Sequence, residues 1–353
     1  MSRYVPTGAT VAGGIGAVVV CIDKNLDRKV AIKFVQSGGE HRRLLDELAA
    51  LQRIRSKHVV QIFDVDFFNP GSRMGIVEEF IEGDSLETFL GKVTVEDGFL
   101  RLLYQAATGI ADIHAVGIVH RDIKPSNMLV DREGILKIID FNLSRSENDA
   151  RTVGFVGTPG YAAPELYAPG HVVFDAAVDV YALSVTAWAL VHGKKLPKDL
   201  ASKPPQPDMW EATSGGFGAL PGLDAELARL LDACLEASPS DRPTAAQVAR
   251  RAARLLLHGK HRALFLGAEK PFELDGSNPR VSLKDSRGSM IIEYDGLDFR
   301  ATSVTGEVWA NNIQLVAGTM LPDCCVIALG GPHRRALDRV FITMDVSHPE
   351  VVL

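Results

Sequence analysis

The apolar residues of this chain change their period once, near Gly259, and that change limits the fold more than any other feature. Before it, apolar residues recur every three to four positions over Glu96 to Ala115, Asp175 to His192, Asp224 to Leu235 and Thr244 to His258, the spacing of helices that bury one face. After it, short alternating runs punctuated by Gly, Asn, Asp and Pro predict strands at Pro271 to Leu274, Arg280 to Leu283, Ser289 to Tyr294, Asp298 to Ser303, Glu307 to Ala310, Cys325 to Leu329 and Arg339 to Asp345. So many short strands in so little chain suit a β-sandwich. The expected organisation is one domain over 1–258 and a separate all-β sandwich over 262–353.

Composition narrows the classes further. The 353 residues, 46% hydrophobic and 23% charged, suit a globular protein of two or three domains. A net charge of -6 supplies no basic footprint, so neither nucleic acid nor an anionic membrane is an expected partner. The most apolar run, Ala176 to Val191, is interrupted by Asp179 and is shorter than the roughly 20 residues a span needs, which predicts a core helix and no membrane span. Met1 to Ala9 lacks a basic region followed by an apolar run, so a cytoplasmic chain is expected. Four cysteines lack metal-type spacing, and the adjacent Cys324 and Cys325 in a strand-like run predict reduced core thiols.

The chemistry concentrates in His120-Arg121-Asp122-Ile123-Lys124-Pro125-Ser126-Asn127, which puts a proton acceptor, a cation and a metal ligand on one short stretch. Phosphoryl transfer asks for positioning and charge neutralisation more than for covalent chemistry, and a carboxylate near the attacking hydroxyl with a lysine near the moving phosphoryl serves it. Residue for residue, the stretch resembles the catalytic loop of the eukaryotic-type (Hanks-type) Ser/Thr protein kinases. The resemblance implies an α+β, bilobal protein-kinase fold, with a β-rich small lobe over 8–78, a hinge over 79–83 and a helical large lobe over 84–258. It also implies that Asp122 orients the substrate hydroxyl and accepts its proton, that Lys124 contacts the γ-phosphate and marks Ser/Thr specificity, and that Asn127 holds Mg²⁺.

Other motifs extend the resemblance in chain order. Asp140, in Asp140-Phe141-Asn142, resembles the magnesium-binding carboxylate of the family's Asp-Phe-Gly motif, with Asn142 in place of glycine; Asn is among the residues that visit positive φ most readily. Lys33, ending Lys29-Val30-Ala31-Ile32-Lys33, is similar to the lysine that holds the α- and β-phosphates. A helix is expected from Glu40 to Ser56, and Glu47 falls inside its stripe of Leu44, Leu48, Leu51 and Ile54. A carboxylate in an apolar stripe needs a partner, and Lys33 is assigned to it. Glu40, at the helix start, is the alternative, explained by the helix dipole alone.

Thr10 to Val18 resembles the phosphate-covering loop, with Gly13, Gly14 and Gly16 letting backbone amides approach a phosphate and Val18 above the adenine. Val11 replaces that family's first glycine. Ala31 and Leu129 would line the nucleotide pocket, and the main chain of Glu79 and Ile81 would hydrogen-bond adenine. Glu78 takes the position at the back of the pocket, which kinases generally fill with an apolar or hydroxyl-bearing residue. Either it pairs with a cation there, or the alignment shifts by one.

Gly157-Thr158-Pro159-Gly160-Tyr161-Ala162-Ala163-Pro164-Glu165 resembles the end of an activation segment. The family's pattern implies that Thr158 braces Asp122 and Lys124, that Glu165 pairs with Arg242, that Asp179 holds the catalytic-loop backbone, and that Arg121 receives an activation-loop phosphate. Thr152 is the first candidate for that phosphate, then Ser146. In the β-rich region, Ser286-Arg287-Gly288-Ser289 and the strands after it are loosely similar to the second half of a forkhead-associated (FHA), phosphothreonine-binding domain, with Ser289 where that family has His and without its earlier Gly-Arg pair.

Ser286 and Arg287 are the residues that could grip a phosphate. A structural or protein-docking sandwich stands ahead of that reading. The implied cofactors are ATP and Mg²⁺, with Mn²⁺ as a substitute, and the implied partners are protein substrates carrying Ser or Thr and a phosphoprotein or other protein on the β-domain. A pseudokinase scaffold and a small-molecule kinase are the rivals. The first is disfavoured by the presence of Lys33, Glu47, Asp122, Asn127 and Asp140 together, the second by the Gly157 to Glu165 motif, which in protein kinases helps seat a peptide.

Overall fold

A computed structural model describes residues 3–13, 16–36, 48–49, 51–68, 73–141, 157–168, 175–207, 210, 215–267, 271–347 and 351. The chain divides into two compact units, one ending at Ala252 and the other running Ala253–Val352.

The first unit begins with five strands, β1 (Tyr4–Gly13), β2 (Gly16–Asp23), β3 (Arg28–Gln36), β4 (Ile62–Phe68) and β5 (Arg73–Glu79). They pair antiparallel in the order β1-β2-β3-β5-β4. Side chains alternate across a strand, so Val30 and Ile32 bury completely on one face while Ala31 and Lys33 project from the other. That second face carries the site. Of the helix expected over 40–56, Leu48, Ala49 and Leu51 are helical, and the helix ends there, with Gln52 and Arg53 in a turn and Ile54 to Ser56 outside it; Glu40, Leu44 and Glu47 lie outside the described residues.

A small sheet of β6 (Gly83–Ser85), β7 (Met128–Asp131) and β8 (Leu136–Ile138) follows, with the helices α1 (Phe99–Ala115), α2 (Ala176–His192), α3 (Ala225–Ala233) and α4 (Ala245–Leu256). Every residue of α2 from Val178 to Leu190 is buried, as an all-round apolar helix must be. Helix starts differ from expectation for local reasons. Asp175 and Asp224 cap α2 and α3 from outside, accepting the amides of Ala177 at 2.7 Å and Leu227 at 2.8 Å. α1 starts at Phe99 because Gly98 before it has φ 82°, a left-handed conformation no helix continues through. Asp224 also meets the Arg251 guanidinium at 2.7 Å. Asp224→Ala is expected to cost about 1 kcal/mol, the usual value of a lost cap, read as a lower midpoint in urea.

The second unit holds two antiparallel sheets. One contains β9 (Arg262–Leu266), β10 (Phe272–Leu274), β14 (Val308–Ala310), β15 (Ile313–Gln314), β17 (Cys324–Leu329) and β18 (Val340–Ser347), in the order β10-β9-β18-β17-β14-β15. The other is β11-β12-β13-β16, built from β11 (Arg280–Asp285), β12 (Gly288–Tyr294), β13 (Phe299–Gly306) and β16 (Thr319–Met320). Phe265, Ile292, Ala301, Ile327 and Met344, all fully buried, belong to its core, and each large apolar side chain buried this way stabilises by about 1.5–3 kcal/mol.

The expected pair of core thiols is half wrong. Cys325 is buried but Cys324 is exposed, because neighbours on a strand point to opposite faces. β9, β15 and β16 were not expected from the sequence. β15 and β16 are two residues each, and β9 lies directly after the helical stretch, where its alternation of exposed Leu264 and buried Phe265 is too brief to stand out. The division of the chain also falls before Gly259, inside α4, since Arg254 pairs with Asp298 and the Gly259 amide donates to Gly296 at 2.7 Å, all within the second unit.

Candidate active site

Asp179, in the first turn of α2 and 1% exposed, organises the catalytic stretch. One carboxylate oxygen accepts the His120 amide at 2.7 Å and meets His114 Nε2 at 2.9 Å; the other accepts the Arg121 amide at 2.8 Å. These bonds hold Arg121 at φ 68°, a conformation costly for a non-glycine residue. The expectation that Asp179 grips this backbone agrees with the geometry. His114 was not singled out in the sequence, and its place in the last turn of α1 was the only signal it offered. His120 turns inward, its Nε2 3.0 Å from the Ile139 carbonyl and its ring 4.8 Å from Phe141.

Asp122 stands at the centre of a hydrogen-bond cluster. Its carboxylate accepts Lys124 Nζ at 2.7 Å, Thr158 Oγ1 at 2.6 Å and Asn127 Nδ2 at 3.0 Å. Lys124 Nζ also donates to Thr158 Oγ1 at 2.8 Å, so the three side chains brace one another. Burial pushes the Asp122 carboxyl up, but the donors from Lys124 and Thr158 outweigh it and hold the group below the ordinary aspartate range. The carboxylate is therefore charged at neutral pH.

A cavity of about 880 Å³ opens beside this cluster. Val18, Ala31, Lys33 and Glu78 line it from the sheet of β1 to β5, and Glu79, Ile81, Lys124, Asn127, Leu129 and Asp140 are among the residues of its other walls. Lys33 forms an ion pair with Asp140, which has φ 66°. The Glu79 amide donates to Gln61 at 2.8 Å, so the carbonyl, not the amide, is the group that could meet a base. The Glu79 side chain pairs with Lys137 at 2.9 Å. Gly13 and Gly16 pair across the β1–β2 hairpin, as do Val11 and Val18, while Gly14 lies outside the described residues.

Asn127 and Asp140 are the candidate metal residues, and they fit. Both bring oxygen donors to the same cavity, the ligand type that Mg²⁺ takes, and Mg²⁺ is commonly held by one or two protein carboxylates together with substrate phosphates. Among the described residues no cluster of three or more His, Cys, Asp or Glu offers a closed metal cage.

Past the cavity, Glu165 and Arg242 form two hydrogen bonds at 2.6 and 2.8 Å, with the Arg242 side chain fully buried. Thr152, Ser146 and Asn142 lie outside the described residues. In the second unit Ser286 and Arg287 form the turn between β11 and β12. The Arg287 guanidinium is engaged by the Asp285 carboxylate and the Asp338 carbonyl. Ser289 hydrogen-bonds Thr305 at 2.6 Å.

The fold is that of a bilobal kinase followed by a β-domain, and the comparisons agree. The protein kinase domain model matches residues 11–252, and the chain belongs to the protein kinase family. A serine/threonine-protein kinase of Corynebacterium efficiens is 37% identical over 52% of this chain and 37% of its own length. A probable serine/threonine-protein kinase of Bifidobacterium longum is 31% identical over 72% of this chain and 36% of its own. Mitogen-activated protein kinase 13 of Mus musculus is 34% identical over 55% of this chain and 54% of its own. The chain thus spans about half or less of the length of these curated relatives. Among solved structures, Rad53 1–466 in complex with AMP-PNP superposes with a TM-score of 0.54 at 24% identity, covering 70% of this chain and 64% of that one, which speaks to the fold. No helix among the described residues is long and apolar enough to cross a membrane.

Proposed function

We propose that this chain is an ATP-dependent Ser/Thr protein kinase, and the observation that carries the reading is the Asp122 cluster at a cavity also lined by Lys33 and Asp140. In this reading Asp122 accepts a hydrogen bond from the substrate hydroxyl, aims its oxygen at the γ-phosphate and takes its proton as the oxygen–phosphorus bond forms and the bond from the γ-phosphorus to the departing ADP oxygen breaks. Lys124 stands beside Asp122, where its charge offsets that on the transferring group. Lys33 steadies the α- and β-phosphates, and the carbonyl of Glu79 and the main chain of Ile81 hold the base against Ala31, Val18 and Leu129. Asn127 and Asp140 would hold Mg²⁺, which supplies charge neutralisation at the phosphates. Thr158 fixes the Asp122 rotamer.

The neighbouring motifs support a protein substrate over a small molecule, because the Glu165–Arg242 pair anchors the segment that in the family helps seat a peptide. Autophosphorylation is part of the proposal, with Thr152 first and Ser146 second, and Arg121 as receptor for the phosphate. Incubation with Mg²⁺ and ATP followed by phosphosite mapping tests it. Phosphate on Thr152 is the expected result; transfer to other proteins with none on Thr152, Thr158 or the nearby serines removes self-activation.

For the β-domain, recruitment of a protein substrate or regulation of the catalytic unit is proposed, with the FHA-like resemblance as one route. A phosphate at Arg287 would have to draw the guanidinium from Asp285. Arg287→Ala is expected to weaken phosphothreonine-peptide binding by about tenfold, the share of one charge-assisted fork. Unchanged binding in a peptide titration would leave the domain a docking or structural sandwich.

A further inference from the structure

We propose that Glu78 is a positioning residue for Lys33: a second carboxylate on the same sheet face, which keeps the ammonium at the phosphate end of the cavity when Asp140 is taken up by the substrate's cation. The inference rests on the nucleotide reading of the cavity. In the pairing of β3 with β5, Ala31 faces Glu78 and Lys33 faces Ile76. Residues directly opposite in an antiparallel pair share a face, so Glu78 lies on the diagonal from Lys33, a separation of roughly 7–8 Å between main chains that long side chains bridge easily. Both side chains line the cavity, together with Asp140. Glu78 is half-buried and is one of the residues that line that space.

Electrostatics agree with this placement. Burial pushes the Glu78 carboxyl up to about 7, the Lys33 ammonium pulls it down, and the Asp140 carboxylate pushes it up again, so the three groups feel one another. Lys33, only 13% exposed, is paired to Asp140 in this structure. If Asp140 turns to a bound cation, the enclosed Lys33 ammonium exchanges that carboxylate for the α- and β-phosphates, and a second acid on its own sheet face restricts where it can point. Glu78 is fixed to the same sheet as Lys33, so it acts on the ammonium without the movement of any other element. Glu47, the acid assigned to Lys33 from the sequence, sits on a separate segment outside the described residues.

The test is nucleotide binding by calorimetry, on the full chain, at about pH 8, where a carboxyl raised to about 7 is mostly ionised. Glu78→Gln keeps shape and removes the charge. It is expected to weaken ADP and ATP about fivefold or more and to leave adenosine within about twofold, since the effect passes through Lys33 to the phosphates. The KM for ATP should rise with kcat little altered. In a Lys33→Met background the same change should do nothing further, the sign of coupling in a double-mutant cycle. Equal losses for adenosine and ADP would make Glu78 a wall residue and overturn the inference, as would unchanged or tighter ADP binding. Retained adenosine binding also reports an intact pocket. Wild-type protein binding neither adenosine nor ATP would instead overturn the nucleotide reading itself, and the inference with it.

Discussion

Asp122→Asn is expected to slow phosphoryl transfer at least about a hundredfold while ATP binding stays within about twofold, the range for removing a positioned proton acceptor. The amide has the carboxylate's shape, so the cavity is preserved. What changes is its chemistry: an Asn cannot take the hydroxyl's proton, and its NH₂ would face Lys124 Nζ or Thr158 Oγ1, both of which now donate to Asp122. The depressed carboxyl also sets the sign of the pH dependence. A carboxylate held below the ordinary value of about 3.9 stays ionised through the neutral and mildly acid range, so its contribution persists there and is lost only as pH falls through the lowered value. A base so weak is suited to orienting the hydroxyl first and receiving the proton late. Steady-state kinetics beside a binding titration separates the two effects.

Glu165→Ala is expected to destabilise the first unit by about 3 kcal/mol, lowering the thermal midpoint by roughly 6–12 °C. The Arg242 side chain is fully buried, and besides Glu165 it reaches the Glu236 carbonyl at 2.8 Å and lies 5.1 Å from the Tyr181 ring. Removing the acid strands a buried cation without its counter-charge, which is where broken ion pairs cost most. Replacing both partners, as Glu165→Leu with Arg242→Met, is expected to cost less than the single change, because no charge is then left unpaired. Calorimetric unfolding of the two variants decides it; a single variant melting within about a degree of wild type would contradict the role given to the pair.

Much of the catalytic unit was legible because its residues carry their neighbours' chemistry in a short span. His120 to Asn127 announces an acid, a cation and an amide on one turn, and the same three meet in space with Thr158. The boundaries of α1 to α4 were readable to within a few residues, since the difference at Asp175 and Asp224 is only whether a cap is counted as helix, whereas the helix expected to Ser56 ends at Leu51. Glu78 was less legible. From the sequence it was an odd residue with an open alignment, and only the β3–β5 register shows that it faces the cavity beside Lys33.

The β-unit was read at the level of its longer strands. Its two-residue strands carry almost no periodicity of their own, and they pair because β14 and β13 present edges to them. Cys324 shows the same limit at one residue: composition marks a thiol as buried, yet the pleat decides which of two adjacent thiols faces the core. Arg287 reads as a phosphate fork in sequence, while in the folded turn it already holds Asp285. Its other partner, the Asp338 carbonyl, is brought to it by tertiary contacts that no local pattern records.

The proposed transfer of a phosphoryl group from ATP to Ser or Thr is tested most directly by incubation with γ-labelled ATP, Mg²⁺ or Mn²⁺, and a mixed peptide pool containing Ser, Thr and Tyr. Label is expected on Ser and Thr and not on Tyr, and is expected to be lost in Asp122→Asn. Absence of transfer by wild type at every Mg²⁺ or Mn²⁺ concentration, to the peptides or to the chain itself, would contradict it.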